Sequence, residues 1–324
     1  MNKESFEFNG LFGPEIKNYI ISKHALGSYK SLDHSEIYDL HILLDHLNSY
    51  NLDHIAISEE MTKSYIDLAS NFTVETQFKY ECRIRQFAKF LKNNGYKNIY
   101  IQYESRFKRN RTSTPYVFSH EEIANIIKEV DEYEPAHGSY DKFFYQTIFR
   151  LLYCTGMRIG ETLSLKPEDV DLLNNVIAVR NGKGNVSRFI PFTDSVAQLL
   201  QNYKDQRFNI MKEYFFESLK GSKRGKGAIN VCFKKIVQRA GISKNEGIRI
   251  SVHSLRHTFA CHSLDKMIRE GRDPYNALPY LSVYLGHKNI QNTEYYLKLT
   301  EERFNDVINA GHYIYESEEN NNND

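Results

Sequence analysis

A basic segment that ends in a proline divides this chain into two parts. Residues 106–115, with the sequence RFKRNRTSTP, carry four arginines or lysines and only one apolar residue. Apolar residues recur at helical spacing on both sides of the segment, and a chain of 324 residues is long enough for two separate hydrophobic cores. The segment therefore predicts a linker between two domains.

The part before the linker predicts a small domain made only of helices. Three stretches with apolar residues at helical spacing predict helices at residues 35–50, 59–70 and 73–94. Ser58 is a candidate N-cap for the second of these helices. We expect a helical domain at residues 31–105, preceded by an N-terminal extension of residues 1–30 in which residues 15–23 could form a helix.

The part after the linker predicts helices with one small sheet. The predicted helices cover residues 119–130, 143–153, 159–165, 193–209, 228–240, 253–269 and 299–310. Residues 169–180 and 188–192 predict two strands, joined by a turn at residues 182–185 (GKGN). The expected fold class is mostly α with a small β-sheet, with a mixed α+β domain over residues 116–315 and a disordered acidic tail at residues 316–324.

Composition narrows the class of protein. Hydrophobic residues make up 41% of the chain, yet no stretch of about 18 apolar residues occurs, so no membrane span is expected. The first residues lack the basic and then apolar pattern of a signal peptide. The four cysteines are scattered rather than paired, which predicts reduced thiols in a cytoplasmic protein: Cys82, Cys154, Cys232 and Cys261.

The net charge of +1 hides an uneven distribution of charge along the chain. Residues 1–105 carry a net charge of −3, residues 106–313 carry +8, and residues 314–324 carry −4. A basic excess in the second part is typical of a protein that binds phosphates there. On its own, however, an excess of this size over so long a segment is unremarkable.

Six residues in the second part carry functional groups that together suit attack on a phosphodiester without a metal. In chain order they are Arg158, Lys183, His253, Arg256, His287 and Tyr296. A guanidinium group presents a planar fork that matches two phosphate oxygens, so two arginines could hold one phosphate and offset the charge that builds on it. A lysine can protonate a departing sugar oxygen, and a tyrosine can act as the nucleophile.

The motifs around these residues resemble those of the tyrosine recombinases, the phage-integrase and Xer-type group. The resemblance is carried by residues 153–161 (YCTGMRIGE), 253–260 (HSLRHTFA) and 285–296 (LGHKNIQNTEYY). It extends over residues 30–312 and is strong from residue 115 onward. The family has its nucleophile nine residues after the histidine of the Leu-Gly-His motif, and this spacing favours Tyr296 over the adjacent Tyr295.

The resemblance implies a role for each of the six residues. The two arginines and the two histidines would bind the scissile phosphate, although His253 could also exchange a proton with the tyrosine. Tyr296 would form a 3′-phosphotyrosyl link, and Lys183 would protonate the leaving 5′ oxygen. Glu161 would orient Arg158. No metal, other cofactor or ATP would be needed, because the ester keeps the bond energy for rejoining.

The resemblance also implies partners. The helical domain would be a core-binding (SAM-like) DNA-binding domain, and the substrate would be double-stranded DNA with specific recombination sites. The protein would be a monomer in solution and a tetramer on paired sites, with accessory DNA-bending proteins as further partners, and would lie in the cytoplasm with the nucleoid. The expected DNA contacts are Lys79, Arg83, Arg109, Arg111, Lys223, Arg224 and Lys226.

Structural alternatives stay open at several positions. Arg158 could form an ion pair with Glu161 or Asp169 instead of binding phosphate. Lys183 could be a solvated lysine on a turn, and the linker could be a solvated hinge rather than a DNA contact. A zinc site could be suggested by three neighbouring residues, His257, Cys261 and His262. They lack a fourth ligand, so we predict no metal site.

One segment departs from the Xer pattern. Arg256 and His287 are 31 positions apart, and residues 265–276 make this interval longer than the compact Xer spacing. The longer interval looks more like recombinases carried by transposons and integrated elements, which favours an integrase or transposase of a mobile element. Two other functions remain open: a type IB topoisomerase-like enzyme that relaxes DNA, and a catalytically silent DNA-binding regulator.

Overall fold

The computed structural model describes residues 7–25, 34–107, 115–135, 139–180, 182, 186–207, 213–218, 220–242, 250–287 and 291–303. The chain forms two compact units, Met1–Arg111 and Thr112–Asp324. The division between them falls inside the segment expected to be a linker. Most of that segment and the whole of the acidic tail lie outside the described residues.

The first unit consists of helices packed around one core. Its helices are α1 (Gly13–Ala25), α2 (His34–Asn48), α3 (Glu59–Asp67) and α4 (Val74–Asn93). Helix α3 begins where the sequence predicts, because the hydroxyl of Ser58 accepts a hydrogen bond from the backbone nitrogen of Met61 at 3.1 Å. Phe12 and Ile16 of the α1 region are fully buried in this core. Helix α1 therefore belongs to the domain and not to a separate N-terminal extension.

A buried carboxylate fixes the chain where it leaves the first unit. Glu81 of α4 has no exposed surface, and it forms an ion pair with Arg85 one turn later. It also accepts hydrogen bonds from the hydroxyl of Ser105 at 2.9 Å and from the backbone nitrogen of Arg106 at 3.2 Å. Because a buried charge needs such partners, these bonds hold the start of the linker against α4.

The second unit contains eight described helices: α5 (His120–Glu132), α6 (Ser139–Thr155), α7 (Ile159–Thr162), α8 (Asp194–Arg207), α9 (Lys226–Arg239), α10 (Val252–Arg269), α11 (Pro274–Leu285) and α12 (Gln291–Arg303). Helix α11 was not expected from the sequence. Asp273 caps it by accepting a hydrogen bond from the nitrogen of Asn276 at 2.9 Å, and Pro274 follows at its first position. The helix expected at residues 299–310 begins earlier, at Gln291, and its stretch beyond residue 303 lies outside the described residues.

The sheet has three antiparallel strands in the order β1 (Val170–Asp171), β2 (Val176–Val179) and β3 (Arg188–Pro191). The single strand expected at residues 169–180 is wrong, because a turn divides it. Asp171 accepts hydrogen bonds from the backbone nitrogens of Leu173 and Asn174, both at 3.0 Å, and Asn175 has a φ of +54°. The expected fold class, mostly α with a small sheet, is confirmed.

Helix α10 lies in the middle of the second unit, where α6, α9, α11 and α12 pack around it. Leu255, Ala260 and Leu264 are at most 1% exposed, which shows how completely the surrounding helices cover it. None of the helices that the structure describes combines the length and the apolar character needed to span a membrane. Because α10 is covered on several sides, polar side chains along it must find partners on its neighbours.

Candidate active site

Arg256 of α10 joins three segments of the chain. Its side chain is almost fully buried, with 2% of the residue exposed. One terminal nitrogen donates to the carbonyl of Gly156 at 2.7 Å, and the other donates to the carbonyl of Leu285 at 2.7 Å and lies 3.0 Å from Nε2 of His287. Burial and the nearby Arg158 lower the pKa of Arg256 to about 10, so it remains charged at neutral pH.

Arg158 lies at the turn between α6 and α7, where it contacts the buried carboxylate of Glu161. Nη1 of Arg158 donates to Oε1 of Glu161 at 2.8 Å, and the backbone nitrogen of Arg158 donates to Oε2 at 3.1 Å. Arg188 of β3 donates to the same carboxylate, with Nη2 at 2.9 Å from Oε2. Burial raises the pKa of Glu161, but the hydrogen bonds and charges of the two arginines outweigh it and hold the pKa at about 2.

The ion pair of Arg158 with Glu161, an alternative to phosphate binding in the sequence, is therefore present. It does not exclude phosphate binding, because the carboxylate is shared with a second arginine. Asp169, the other partner considered, instead accepts from Nε of Arg180 at 2.6 Å.

Arg188 was not among the site residues expected from the sequence. Its side chain is 6% exposed, and its Nε donates to the carbonyl of Tyr284 at 2.7 Å. It also lies against Gly286, which ends α11 with a φ of +67°; a Cβ at that position would be 2.9 Å from Nη1 of Arg188. An arginine in a strand gives no signal by itself, and only its partners reveal that it fastens β3 to the end of α11.

The end of α11 gathers all three of these arginines. The carbonyl of Tyr284 accepts from Arg188, and the carbonyl of Leu285 accepts from Arg256 at 2.7 Å and from Arg158 at a longer 3.5 Å. The last carbonyls of a helix are without helical partners and carry a partial negative charge. Helix α11 therefore orients the guanidinium groups, although it contributes no predicted catalytic side chain.

His287 follows directly after the end of α11, and its two ring nitrogens have different partners. Nε2 lies beside Arg256, which can only donate, so Nε2 must be the acceptor. Nδ1 therefore carries the hydrogen and donates to the hydroxyl of Thr293 on α12 at 2.9 Å. Burial and the charges of Arg256, Arg158 and Arg188 lower the pKa of His287 to about 4, which makes its ring neutral at neutral pH.

Tyr296 of α12 is 2% exposed and faces α10. Its hydroxyl oxygen is 3.2 Å from Nδ1 of His257, and its ring is stacked on that of His287 with centroids 6.0 Å apart. Burial raises the pKa of Tyr296, while Arg256 acts in the opposite direction. The adjacent Tyr295 is 38% exposed. The contact between Tyr296 and His257 was not expected from the sequence, where His257 is part of a motif and was considered only for zinc.

His253 lies in the first turn of α10 and is exposed, whereas Arg256 on the same helix is buried. Its ring lies 4.6 Å from that of His257. It lines a cleft of about 1990 Å³ together with Arg158, Glu161, Gly182, Lys226 and Lys234, among others. The structure thus brings five of the six expected catalytic residues to one region.

The sixth expected catalytic residue, Lys183, lies outside the described residues. Its neighbour Gly182 is described, and a Cβ there would be 3.1 Å from Oε1 of Glu161.

The residues expected to contact DNA have different surroundings. Lys79 is exposed on α4, and Lys226 lines the cleft. Arg83 pairs with Asp39 and also donates to the hydroxyl of Tyr65 at 3.1 Å. Arg83 is therefore held inside its own domain. Two of the expected contacts, Arg109 and Arg111, lie outside the described residues.

The basic segment before α9 is also partly committed to internal contacts. Arg224 pairs with Asp141 at 2.7 Å and lies 4.0 Å from the ring centre of Phe144. Lys223 donates from Nζ to the hydroxyl of Ser164 at 2.5 Å. Of this segment, Lys226 has the surroundings best suited to an anion, because it points into the cleft beside Gly160.

His262, one of the residues considered for zinc, has a structural role. Its Nε2 donates to the carbonyl of Phe118 at 2.9 Å, and its Nδ1 accepts from the hydroxyl of Tyr153 at 3.0 Å. In the part of the chain that the structure describes, no group of three histidines, cysteines or acidic residues could hold a metal ion.

Burial also lowers the pKa of His257, to about 3, so its imidazole is neutral like that of His287. This arrangement of a buried tyrosine, two neutral imidazoles and clustered guanidinium groups is suited to nucleophilic attack on a phosphate ester. The profile of the phage integrase family matches residues 116–303, more than half of the chain. The chain therefore belongs to that family and is a tyrosine site-specific recombinase.

Individual relatives are distant. The chain is 28% identical to a tyrosine recombinase XerC from Oceanobacillus iheyensis, over 85% of this chain and 87% of the relative. Among solved structures, it resembles a XerH site-specific recombinase bound to its difH substrate, with a TM-score of 0.64, 17% identity and coverage of 93% and 95% of the two chains. It also resembles a lambda integrase tetramer bound to a Holliday junction, with a TM-score of 0.58, 13% identity and coverage of 87% and 76%.

Proposed function

We propose that this chain is the integrase or transposase of a mobile element. It cleaves and rejoins DNA at specific sites through a 3′-phosphotyrosyl intermediate on Tyr296. Family membership accounts for site-specific recombination. The covalent intermediate, the assignment of the site residues and the kind of element are inferred from the residues themselves.

The proposal rests mainly on one observation, the excess of positive charge among the side chains of the site. Arg158 and Arg188 share the single carboxylate of Glu161, and Arg256 forms no ion pair among the described residues. The imidazoles of His257 and His287 are held neutral by burial, so they add no charge of either sign. A buried excess of cations is costly unless an anion joins them, and a phosphodiester fits the planar forks of two guanidinium groups.

The reaction follows from this arrangement. Arg158, Arg256 and His253 hold the scissile phosphate, and His287 keeps Arg256 oriented through its Nε2. The hydroxyl oxygen of Tyr296 attacks phosphorus, and the bond from phosphorus to the 5′ oxygen breaks. Lys183 gives a proton to that oxygen.

Strand exchange is the reverse of cleavage on a different strand. The 5′ hydroxyl of the partner strand attacks the phosphotyrosyl ester, and the tyrosine becomes the leaving group. No metal and no ATP take part in the proposed reaction, because guanidinium groups neutralise the charge and the ester retains the bond energy.

The proposed substrate is double-stranded DNA with specific recombination sites. The lambda integrase of similar fold forms a tetramer on a Holliday junction, and the proposed assembly here is likewise a monomer in solution and a tetramer on paired sites. Accessory DNA-bending proteins and a location in the cytoplasm with the nucleoid belong to the same proposal. Lys79 and Lys226 are the proposed DNA contacts with exposed surroundings.

The segment between Arg256 and His287 favours a mobile element over a chromosome-dimer resolvase. In the structure this segment forms the rest of α10, up to Arg269, and the whole of α11 before Gly286. The length of this segment is the feature that departs from the compact Xer pattern. It does not displace the site, since the carbonyls at the end of α11 bind the site's arginines.

Covalent trapping tests the proposal. Wild-type protein is incubated with nicked DNA from the ends of the host element and then denatured, so that any covalent protein–DNA adduct remains. We expect an adduct with wild type and with Tyr295→Phe, and none with Tyr296→Phe. Absence of an adduct on DNA that is demonstrably bound would favour the silent DNA-binding regulator.

The reaction products obtained from DNA with two sites distinguish a recombinase from the topoisomerase-like alternative. A recombinase exchanges strands between the two sites, whereas a topoisomerase-like enzyme changes only the supercoiling of a plasmid. Relaxation at single sites without exchanged products would contradict the proposed function while leaving the role of Tyr296 intact.

A further inference from the structure

The hydroxyl group of Tyr296 faces a histidine outside the expected catalytic set. Nδ1 of His257 is 3.2 Å from the hydroxyl oxygen, and the two rings are tilted by 51° with centroids 5.6 Å apart. His257 follows Arg256 directly on α10 and lies one helical turn after His253. It is therefore built into the helix that also carries the phosphate-binding arginine.

Counting hydrogens assigns the direction of this contact. A tyrosine hydroxyl has one hydrogen to donate and two lone pairs. Burial raises the pKa of Tyr296 while the nearby Arg256 lowers it, and a guanidinium group can only donate. Toward Arg256 the hydroxyl can act only as an acceptor, whereas Nδ1 of a neutral His257 can accept its hydrogen.

The surroundings of His257 keep Nδ1 able to accept. Burial, together with the charges of His253, Arg256 and His287, lowers the pKa of His257 to about 3. The ring is therefore neutral throughout the physiological range. A bound phosphate would place negative charge beside Arg256 and His253, which offsets these repulsive charges and makes the ring more basic when substrate is present.

We propose that His257 is a further catalytic residue, which orients the hydroxyl of Tyr296 and receives its proton during attack. As the bond from the tyrosine oxygen to phosphorus forms, the phenolic proton moves to Nδ1 of His257. The bond from phosphorus to the 5′ oxygen breaks, and that oxygen takes its proton from Lys183. In rejoining, His257 returns the proton to the departing tyrosine. This inference rests on the proposed function of Tyr296 as nucleophile.

The geometry separates the roles of His253 and His257, two of the three histidines of α10. His253 is exposed at the start of the helix and lines the cleft, where a phosphate would bind. His257 is deeper and contacts the nucleophile. The exchange of a proton with tyrosine, which the sequence left open for His253, is therefore assigned to His257.

The test is the rate of adduct formation in a single turnover on nicked DNA. His257→Phe keeps an aromatic ring but removes the acceptor. We expect it to slow adduct formation by about 100-fold, in the range typical of general base catalysis, with DNA affinity within about twofold of wild type. His262→Asn is the control, because it removes another buried histidine of α10 that is held by Tyr153 and Phe118 and not by the nucleophile.

A second variant tests proton acceptance separately from orientation. The side-chain oxygen of His257→Asn can accept the hydrogen bond but cannot take up a proton at neutral pH. Its rate should be lower than that of wild type at pH 7 and should rise by about tenfold per pH unit toward the pKa of Tyr296, because only the ionised tyrosine then attacks. Wild type should show a flatter profile.

A modified substrate shows whether His257 takes the proton of the nucleophile or supplies the proton of the leaving group. DNA with sulfur in place of the scissile 5′ oxygen has a leaving group that needs no proton. It should restore cleavage by Lys183→Ala but not by His257→Phe. Equal restoration of both variants would overturn the inference, because His257 would then act on the leaving group.

Two further outcomes are decisive. A folded His257→Phe that binds DNA and forms adduct at the wild-type rate overturns the inference. If that variant does not fold, a wild-type rate and pH profile for His257→Asn would overturn it equally. Failure of the proposed function is distinguishable from both, because wild type itself would then form no adduct at Tyr296.

Discussion

The carboxylate of Glu161 is the most informative position for testing how this site is held together. Glu161→Gln preserves the shape of the side chain and one acceptor oxygen but removes the charge that Arg158 and Arg188 share. The side chains of Glu161 and Arg188 are each 6% exposed, so little solvent is available to replace the lost charge. We expect both a loss of stability and a loss of cleavage.

The magnitude follows from the pKa of the carboxyl group. That pKa falls from 4.5 in the unfolded chain to about 2 in the folded protein. Each pKa unit corresponds to about 1.4 kcal/mol, so the ionised form of Glu161, net of its burial, favours the folded state by about 3 kcal/mol. Breaking a buried ion pair from one side costs about 3–5 kcal/mol, which agrees with this figure.

Stability should therefore depend on pH in a defined direction. Because the folded pKa lies below the unfolded pKa, the unfolded chain binds the proton first as the pH falls. The contribution of Glu161 is fully present above pH 4.5 and is lost as the pH falls through about 2. In the glutamine variant this component of acid sensitivity should be missing.

Urea unfolding at pH 7 and at lower pH measures both effects. The matched control is Glu168→Gln. The side chain of Glu168 is 64% exposed, and its ion pair with Lys166 is long, at 3.9 Å, so this variant should change the free energy of unfolding by less than about 0.5 kcal/mol. Equal stability of Glu161→Gln and wild type at pH 7 would refute the reasoning. Cleavage should fall at least about tenfold in Glu161→Gln, because Arg158 loses its anchor.

Three other predictions follow from the same geometry. Urea unfolding should show that Gly286→Ala lowers the free energy of unfolding by about 1–2 kcal/mol more than Gly271→Ala does. Both glycines have positive φ, but only Gly286 faces Arg188, so equal effects would contradict this reasoning. Arg256→Lys should keep DNA binding but slow adduct formation by about 100-fold, since a single ammonium group cannot contact Leu285 and a phosphate together. DNA affinity measured by fluorescence anisotropy should fall steeply between about 50 and 200 mM salt, and a flat dependence would exclude phosphate contacts as its main source.

Much of the fold could be predicted from periodicity and local capping. Apolar residues at helical spacing and the hydroxyl of Ser58 located α2 to α4, because these signals act within one or two turns. The strand over residues 169–180 was wrong because Asp171 forms a turn through side-chain to backbone hydrogen bonds that compete with strand pairing. Helix α11 was missed because Pro279 inside it weakens the helical signal, and packing against α10 and α12 overcomes that weakness.

The sequence by itself determined the order of the chemical groups and the family, since motif spacing is a property of the chain. It named Arg158, Arg256, His287 and Tyr296, and the structure brings them together. Only the tertiary structure decided how they are held. Arg188 reaches Glu161 from 27 positions away, and His257 meets Tyr296 from 39 positions away. Such contacts are set by how β3, α11 and α12 pack around α10, and no local pattern encodes them because the partners are distant along the chain.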